Sequence, residues 1–267
     1  MPQDSIKTSS KIIAIVNQKG GVGKTTTTIN LAAALAETGR RVLVLDLDPQ
    51  GNASTGLGVA QDDRATTTYD FLIGEADANS AVQPTDYDGL YIIPATTELS
   101  SADIELISNE QRSFLLRTAL GSASMRSLKF DYILIDCPPS LNILTVNALI
   151  ASDSVMVPLQ SEFFALEGLS QLMLTVREIR QAANPQLRIE GIVLTMFDKR
   201  NNLSRQVEMD ARENLGELVF STLIPRNVRL SEAPSFAMPV LTYDTHSKGS
   251  AAYRALAAEV MRREKMK

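Results

Sequence analysis

The stretch NQKGGVGKTTTT, Asn17 to Thr28, decides the fold of this chain. It follows an apolar run, KIIAIV (11–16), and opens TTTTINLAAALAETG (25–39), whose spacing predicts an amphipathic helix. Glycines on a strand-to-helix turn are what a phosphate-binding loop requires. Gly20, Gly21 and Gly23 permit positive φ and leave room for phosphate oxygens beside the backbone. Backbone N–H groups and the helix N-terminus supply donors and partial positive charge. In such a loop Lys24 reaches the β- and γ-phosphates, the Thr25 hydroxyl ligates Mg²⁺, and Thr26 is placed for the α-phosphate. Four consecutive threonines start a helix poorly on propensity, and make sense where their hydroxyls face a ligand.

Outward from the loop, apolar runs bounded by turn signals recur: RVLVLD (41–46), GLYIIPA (89–95), FDYILID (130–136), SVMVPL (154–159), IEGIVLTMF (189–197) and ELVFSTLIP (217–225). Helical patterns lie between most of them: SLNILTVNALIA (140–151), FALEGLSQLMLTVREIRQAA (164–183) and LSRQVEMDARENLG (203–216). β-branched runs alternating with helices predict an α/β fold, a doubly wound, mainly parallel sheet with helices on both faces. Residues 1–10 read as a flexible tail, and 11–267 as one nucleotide-binding domain closed by a C-terminal helix, KGSAAYRALAAEVMRREKMK (248–267). Residues 61–127 read as more helical and acidic.

Composition excludes several function classes. No apolar run reaches the roughly 18 residues of a membrane span, and the N-terminus has no secretion-signal pattern. One cysteine, Cys137, excludes an internal disulfide and a multi-thiolate metal site and fits a reducing cytoplasm. It reads as a small buried hydrophobe, and His246 has no base or metal ligand around it. The net charge of −5 is uneven. Residues 1–110 carry 7 basic and 15 acidic side chains and residues 111–267 carry 19 and 16, so a polyanion would meet the C-terminal half.

Two acidic motifs accompany the loop. RVLVLDLDPQGN (41–52) sets Asp46 and Asp48 at a strand's C-terminal end, where α/β sheets bind ligands, with alternation putting both on one side. FDYILIDCPPS (130–140) is an apolar strand ending in Asp136, a carboxylate able to hold Mg²⁺ through a water.

At the position five before Gly23, where the standard loop has glycine, stands Gln18, and Lys19 precedes the first glycine of KGGVGKT. This deviant Walker A loop resembles the MinD/ParA family of P-loop NTPases. With DLDPQGNASTGLG (46–58), LTMFDKRNNLSRQV (194–207) and IPRNVRLSEAPSFAMPV (224–240), the chain closely resembles the small chromosomal ParA/Soj partition ATPases from about Lys11 to about Val260. The resemblance implies ATP and Mg²⁺ as ligands, and Lys19 reaching the partner's nucleotide across a face-to-face homodimer. It implies that Asp48 positions the attacking water, that Asp46 supports Mg²⁺, and that Pro225 and Asn227 approach the adenine. Arg200 and Arg229 match phosphate-contacting positions for non-specific double-stranded DNA; Lys199, Arg205 and Arg226 enlarge that basic patch. It further implies slow ATP hydrolysis, a stimulating ParB-type centromere-binding protein, a nucleoid-associated cytoplasmic location, and no extra N-terminal DNA-reading domain. Asp62 to Asp88 matches less distinctively and yields no site residue. Two alternatives stay open: a MinD-like membrane-associated regulator of division-site placement, and a metabolic ATP-dependent ligase. For the C-terminal helix, docking of Tyr253, Leu256, Ala257, Val260 and Met261 on the core is expected over membrane binding.

Overall fold

The computed structural model describes residues 10–105, 109–162 and 165–265. All but Ser10 of the expected tail therefore lies outside the described residues. Among the described residues seven strands form one sheet: β1 (Lys11–Ile15), β2 (Val42–Asp46), β3 (Gln83–Pro84), β4 (Leu90–Ile93), β5 (Tyr132–Asp136), β6 (Ser154–Gln160) and β7 (Arg188–Thr195). Their order is β3-β4-β2-β5-β1-β6-β7, parallel throughout except for the short edge strand β3. The expected doubly wound sheet is present.

Alternation along the strands explains the two cores. Leu43, Leu45, Ile133 and Ile135 face one layer with Leu144, Ala148, Leu169 and Leu172. Val42, Val44, Ile13, Ile15 and Leu134 face the other, against the helix Lys24–Ala36 (α1) and the C-terminal helix Lys248–Lys265. A sheet buried on both faces needs near-continuous apolar strands, which is how these runs read. Tyr253, Leu256, Ala257 and Val260 are buried against α1's layer and Met261 packs on it, so the apolar face of the C-terminal helix is spent inside the molecule. No helix among the described residues is long and apolar enough to cross a membrane.

One local expectation is corrected. The run 217–225 is no regular strand: Gly216–Leu218 is a turn of 3₁₀-helix, and the rest meets β7 and the residues just past it at isolated bridges, Ile192 with Val219 and Phe197 with Pro225, while Phe220 N donates to Ile192 O at 2.8 Å and Ile224 N to Leu194 O at 2.9 Å. The reason is a competing acceptor. The Ser221 and Thr222 amides donate to the Glu259 carboxylate, at 2.8 and 2.9 Å, and bow the chain off the sheet. Residues 61–127 hold short helices, Thr68–Ile73, Ala78–Ala81, Leu115–Leu120 and Ala123–Ser127, together with β3 and β4.

Candidate nucleotide site and its basic neighbour

The C-terminal ends of β2, β5 and β1 lie side by side, with Asp46 in register with Asp136 and Asp136 with Ile15. The glycine loop leaves β1 at this point, as expected for a ligand site in an open α/β sheet. Gly21 (φ 73°) and Gly23 (φ 88°) take the left-handed conformation; Gly20 does not, and its missing side chain leaves open space instead. Helix α1 begins at Lys24 with no side-chain cap and no acid in its first turn, so its leading N–H groups are left for a ligand. Thr195 Oγ1 at the end of β7 anchors the loop by donating to the Val22 carbonyl at 2.8 Å. The Lys24 ammonium donates to the Lys19 carbonyl at 3.1 Å. Burial lowers the Lys24 pKa, while the charges of Asp136 and Asp48 pull it back up.

The four threonines divide their work. Thr25 Oγ1 donates to Asp136 Oδ2 at 2.7 Å, and Thr26 lines the cavity described below. Thr27 and Thr28 are fully buried, contrary to the expectation that the run faces a ligand. Thr27 meets the Tyr253 hydroxyl at 3.2 Å, and Thr28 donates to Asp136 Oδ1 at 2.9 Å.

Asp46 and Asp136 are completely buried. Burial raises the pKa of both; the charge of Asp46 across the strand pair raises Asp136 further. Asp46 Oδ2 accepts from Ser54 N and Oγ at 2.8 and 2.7 Å. Asp48 lies past the end of β2, so a turn rather than strand alternation places it: its amide donates to Asp46 Oδ1 at 3.2 Å. Crowded carboxylates with a hydroxyl beside them form an oxygen-only donor set, suited to a hard cation such as Mg²⁺. No group of three or more His, Cys, Asp or Glu able to hold a metal occurs among the described residues. That fits Mg²⁺, which commonly takes one or two protein oxygens and completes its shell with phosphates and water.

Beside the loop opens a cavity of about 590 Å³ whose wall includes Gly23, Thr26, Thr195, Pro225, Asn227 and Tyr253. Pro225 and Asn227 therefore line the cavity that adjoins the phosphate loop. Asn227 also caps the short helix Val228–Glu232 by accepting from the Arg229 amide at 2.8 Å. The two basic motifs are stitched together by the Phe197–Pro225 bridge and by Arg226 N donating to Phe197 O at 3.0 Å. Lys199, Arg200, Arg205, Arg226 and Arg229 are all exposed, and two of them pair with acids. Arg200, 86% exposed, pairs with Asp198 at 3.2 Å. Arg229 pairs with Glu232 at 2.9 Å and Asp244 at 3.3 Å. Arg205 hydrogen-bonds Asn202. Lys19 is about half exposed and pairs with Glu162 at 3.2 Å. Cys137 is buried and its pKa is raised well above the usual thiol value by burial; His246 is exposed.

The sequence reading missed Glu162, Glu259 and Arg64. Their partners lie 143, 37 and 31 positions away, at Lys19, Thr222 and Ala95. Only the DPQGN motif, whose turn needs an anchor, hinted at Arg64.

The family model described as an AAA domain matches residues 10–189. Together with the sheet order and the glycine loop, it makes this a P-loop ATPase fold. The chain is 56% identical to the chromosome partitioning protein ParA of Caulobacter vibrioides, over 96% of this chain and 95% of that one. It is 51% identical to the sporulation initiation inhibitor protein Soj of Bacillus subtilis, over 94% and 98%. A solved cobyrinic acid a,c-diamide synthase from Mycobacterium smegmatis, with bound ATP analogue and magnesium, superposes with TM-score 0.82 and 37% identity, covering 96% of each chain. The chain belongs to the ParA/Soj family of chromosome-partitioning ATPases.

Proposed function

We propose that the protein is an ATP-driven dimerisation switch that holds DNA without sequence preference during chromosome or plasmid partitioning. The observation that carries this reading is adjacency: Pro225, Arg226 and Asn227 line the cavity beside the phosphate loop, and Arg229 follows two residues on. A nucleotide seated there presses on the segment that presents the basic side chains.

The residues take the following roles. The loop amides and Lys24 bind the β- and γ-phosphates of ATP. Thr25, and Asp136 through a water, would hold Mg²⁺, which neutralises phosphate charge when bound. Asp46 braces this group. Asp48 orients the water that attacks the γ-phosphorus, releasing ADP and phosphate. Lys19 leaves Glu162 to reach the nucleotide of a second protomer, so that ATP becomes part of the dimer interface. The dimer then aligns Arg200 and Arg229 of both protomers, flanked by Lys199 and Arg205, into one basic stripe. Hydrolysis dissolves the dimer, and a ParB-type centromere-binding protein accelerates that step.

The test is binding to a random-sequence duplex with ATP–Mg²⁺ and with ADP across a salt series, with Lys19→Ala alongside. ATP-dependent binding with a steep salt slope, lost in Lys19→Ala, is expected. Binding indifferent to nucleotide, or absent at low salt, would refute the switch. Turnover accelerated by cobyrinic acid and untouched by DNA would point instead to the chemistry named for the Mycobacterium neighbour.

A further inference from the structure

Arg64 sits in the acidic segment after the DPQGN motif, yet it is only 6% exposed. Its four hydrogen bonds among the described residues all go to uncharged oxygens: Val59 O twice, at 3.2 and 2.9 Å, Ala95 O at 2.9 Å, and Thr55 Oγ1 at 2.8 Å. A buried guanidinium held only by neutral acceptors is costly to desolvate, so its value lies in what those acceptors are attached to.

Two chains of hydrogen bonds leave it, and both end on Asp48. In the first, Thr55 Oγ1 accepts from Arg64 and donates to Gly51 O at 3.1 Å, and Gly51 N donates to Asp48 O at 2.9 Å. In the second, Ala95 accepts from Arg64 through its carbonyl and donates through its N–H to Ser54 Oγ at 3.0 Å. Ser54 Oγ donates to Asp46 Oδ2 at 2.7 Å, and Asp46 Oδ1 accepts the Asp48 amide at 3.2 Å. Gly51 closes the arrangement. It has φ 62°, and a Cβ there would collide with Arg64 Nη1 and stand 2.9 Å from Ala95 O. The turn carrying Asp48 is thus bolted to the residue just past β4 from both of its ends.

We propose that Arg64 is a positioning residue for ATP hydrolysis: its guanidinium fixes the Asp48 turn against the phosphate loop without touching the nucleotide. The proposal rests on the reading of Asp48 as the water-orienting group. A residue acting this way controls the geometry of attack and leaves ground-state nucleotide binding largely alone.

The experiment measures single-turnover ATP hydrolysis and the affinity for a fluorescent ATP analogue, with a thermal melt for each variant. The variants are Arg64→Met, Arg64→Lys, Thr55→Val, Gly51→Ala and Asp48→Ala. Arg64→Met and Gly51→Ala are expected to slow hydrolysis by about tenfold or more while nucleotide affinity stays within about threefold. Thr55→Val, at an exposed position, is expected to show a smaller loss of the same kind, and Arg64→Lys to recover part of the rate. Folded variants that hydrolyse ATP at the normal rate would overturn the proposal, as would losses that follow affinity rather than rate. If Arg64→Met does not fold, Thr55→Val and Gly51→Ala decide the matter with Arg64 intact. The Asp48→Ala arm separates the two readings. Normal hydrolysis in that variant sinks the role of Asp48, whereas a dead Asp48→Ala beside a normal Thr55→Val and Gly51→Ala sinks only that of Arg64.

Discussion

Glu259→Gln and Glu259→Ala test how the C-terminal helix is coupled to the nucleotide cavity. Glu259 is 3% exposed and its carboxylate accepts from Ser221 N at 2.8 Å, Thr222 N at 2.9 Å, Thr222 Oγ1 at 2.8 Å and Arg263 Nη2 at 3.0 Å. These bonds bow residues 221–222 off the sheet, and the same stretch of chain continues into Ile224 and Pro225 on the cavity wall. Alanine leaves the two amides and the Thr222 hydroxyl without this acceptor, while the Arg263 guanidinium keeps the Val219 carbonyl at 3.0 Å. A hydrogen bond to a charged group contributes about 1.5–3 kcal/mol, and breaking a buried pair costs about 3–5 kcal/mol. Ser221 and Thr222 are open enough for water to take over part of that, so Glu259→Ala should lose about 3 kcal/mol. At about 2–4 °C per kcal/mol for a chain of this size, the melting temperature falls by about 6–12 °C. Glutamine keeps one acceptor oxygen and should lose about half as much. The pH dependence has a fixed sign. Burial alone would raise the Glu259 pKa, but the donors outweigh it and the folded value lies below the ordinary one. Its stabilisation is therefore complete above the ordinary glutamate pKa of about 4.3 and disappears as pH falls through the lower folded value. Urea denaturation at pH 7, 5 and 3.5 reads this directly. The gap between wild type and Glu259→Gln should hold from pH 7 to 5 and narrow at pH 3.5. A variant as stable as wild type at pH 7, or a gap that widens on acidification, would refute the reasoning.

Arg200→Glu and Arg229→Glu should each weaken ATP-dependent DNA binding and lower the logarithmic salt slope by about 0.9 for every phosphate no longer neutralised, measured by fluorescence anisotropy across a salt series. Asp198→Asn should do the reverse: it keeps the side-chain oxygen that accepts from the Arg200 amide at 3.0 Å but removes the charge competing with phosphate. DNA affinity should rise at low salt, and a variant that binds no better would show that Arg200 does not meet phosphate. Cys137, buried with its thiol pKa raised by burial, should react with a thiol reagent only after denaturation, read by mass spectrometry before and after adding urea.

What the sequence made legible was local. The near-continuous apolar runs, the glycine turn and the helix starts depend on neighbours within a few positions, and they gave the parallel sheet, the turn before α1 and the strand-end positions of Asp46 and Asp136. The failures share a physical cause, which is a partner supplied by a distant segment. ELVFSTLIP has every local property of a strand, and it bows away between Phe220 and Ile224 because Glu259, on the C-terminal helix, takes the Thr222 amide that a ladder would have used together with that of Ser221. Thr27 and Thr28 read as ligand-facing because nothing local announces Tyr253 or Asp136 as their partners. Arg200 and Lys19 read as phosphate-facing charges, and each is held in the folded chain by an acid. Those two ion pairs bear on mechanism. Asp198 lies two positions from Arg200 in sequence, so on the proposed reading it competes with any phosphate that approaches Arg200. Glu162 is brought to Lys19 by β6, at the rim of the loop itself. Any motion that carries Lys19 towards a second protomer must first break that ion pair, whereas binding of nucleotide within one protomer need not.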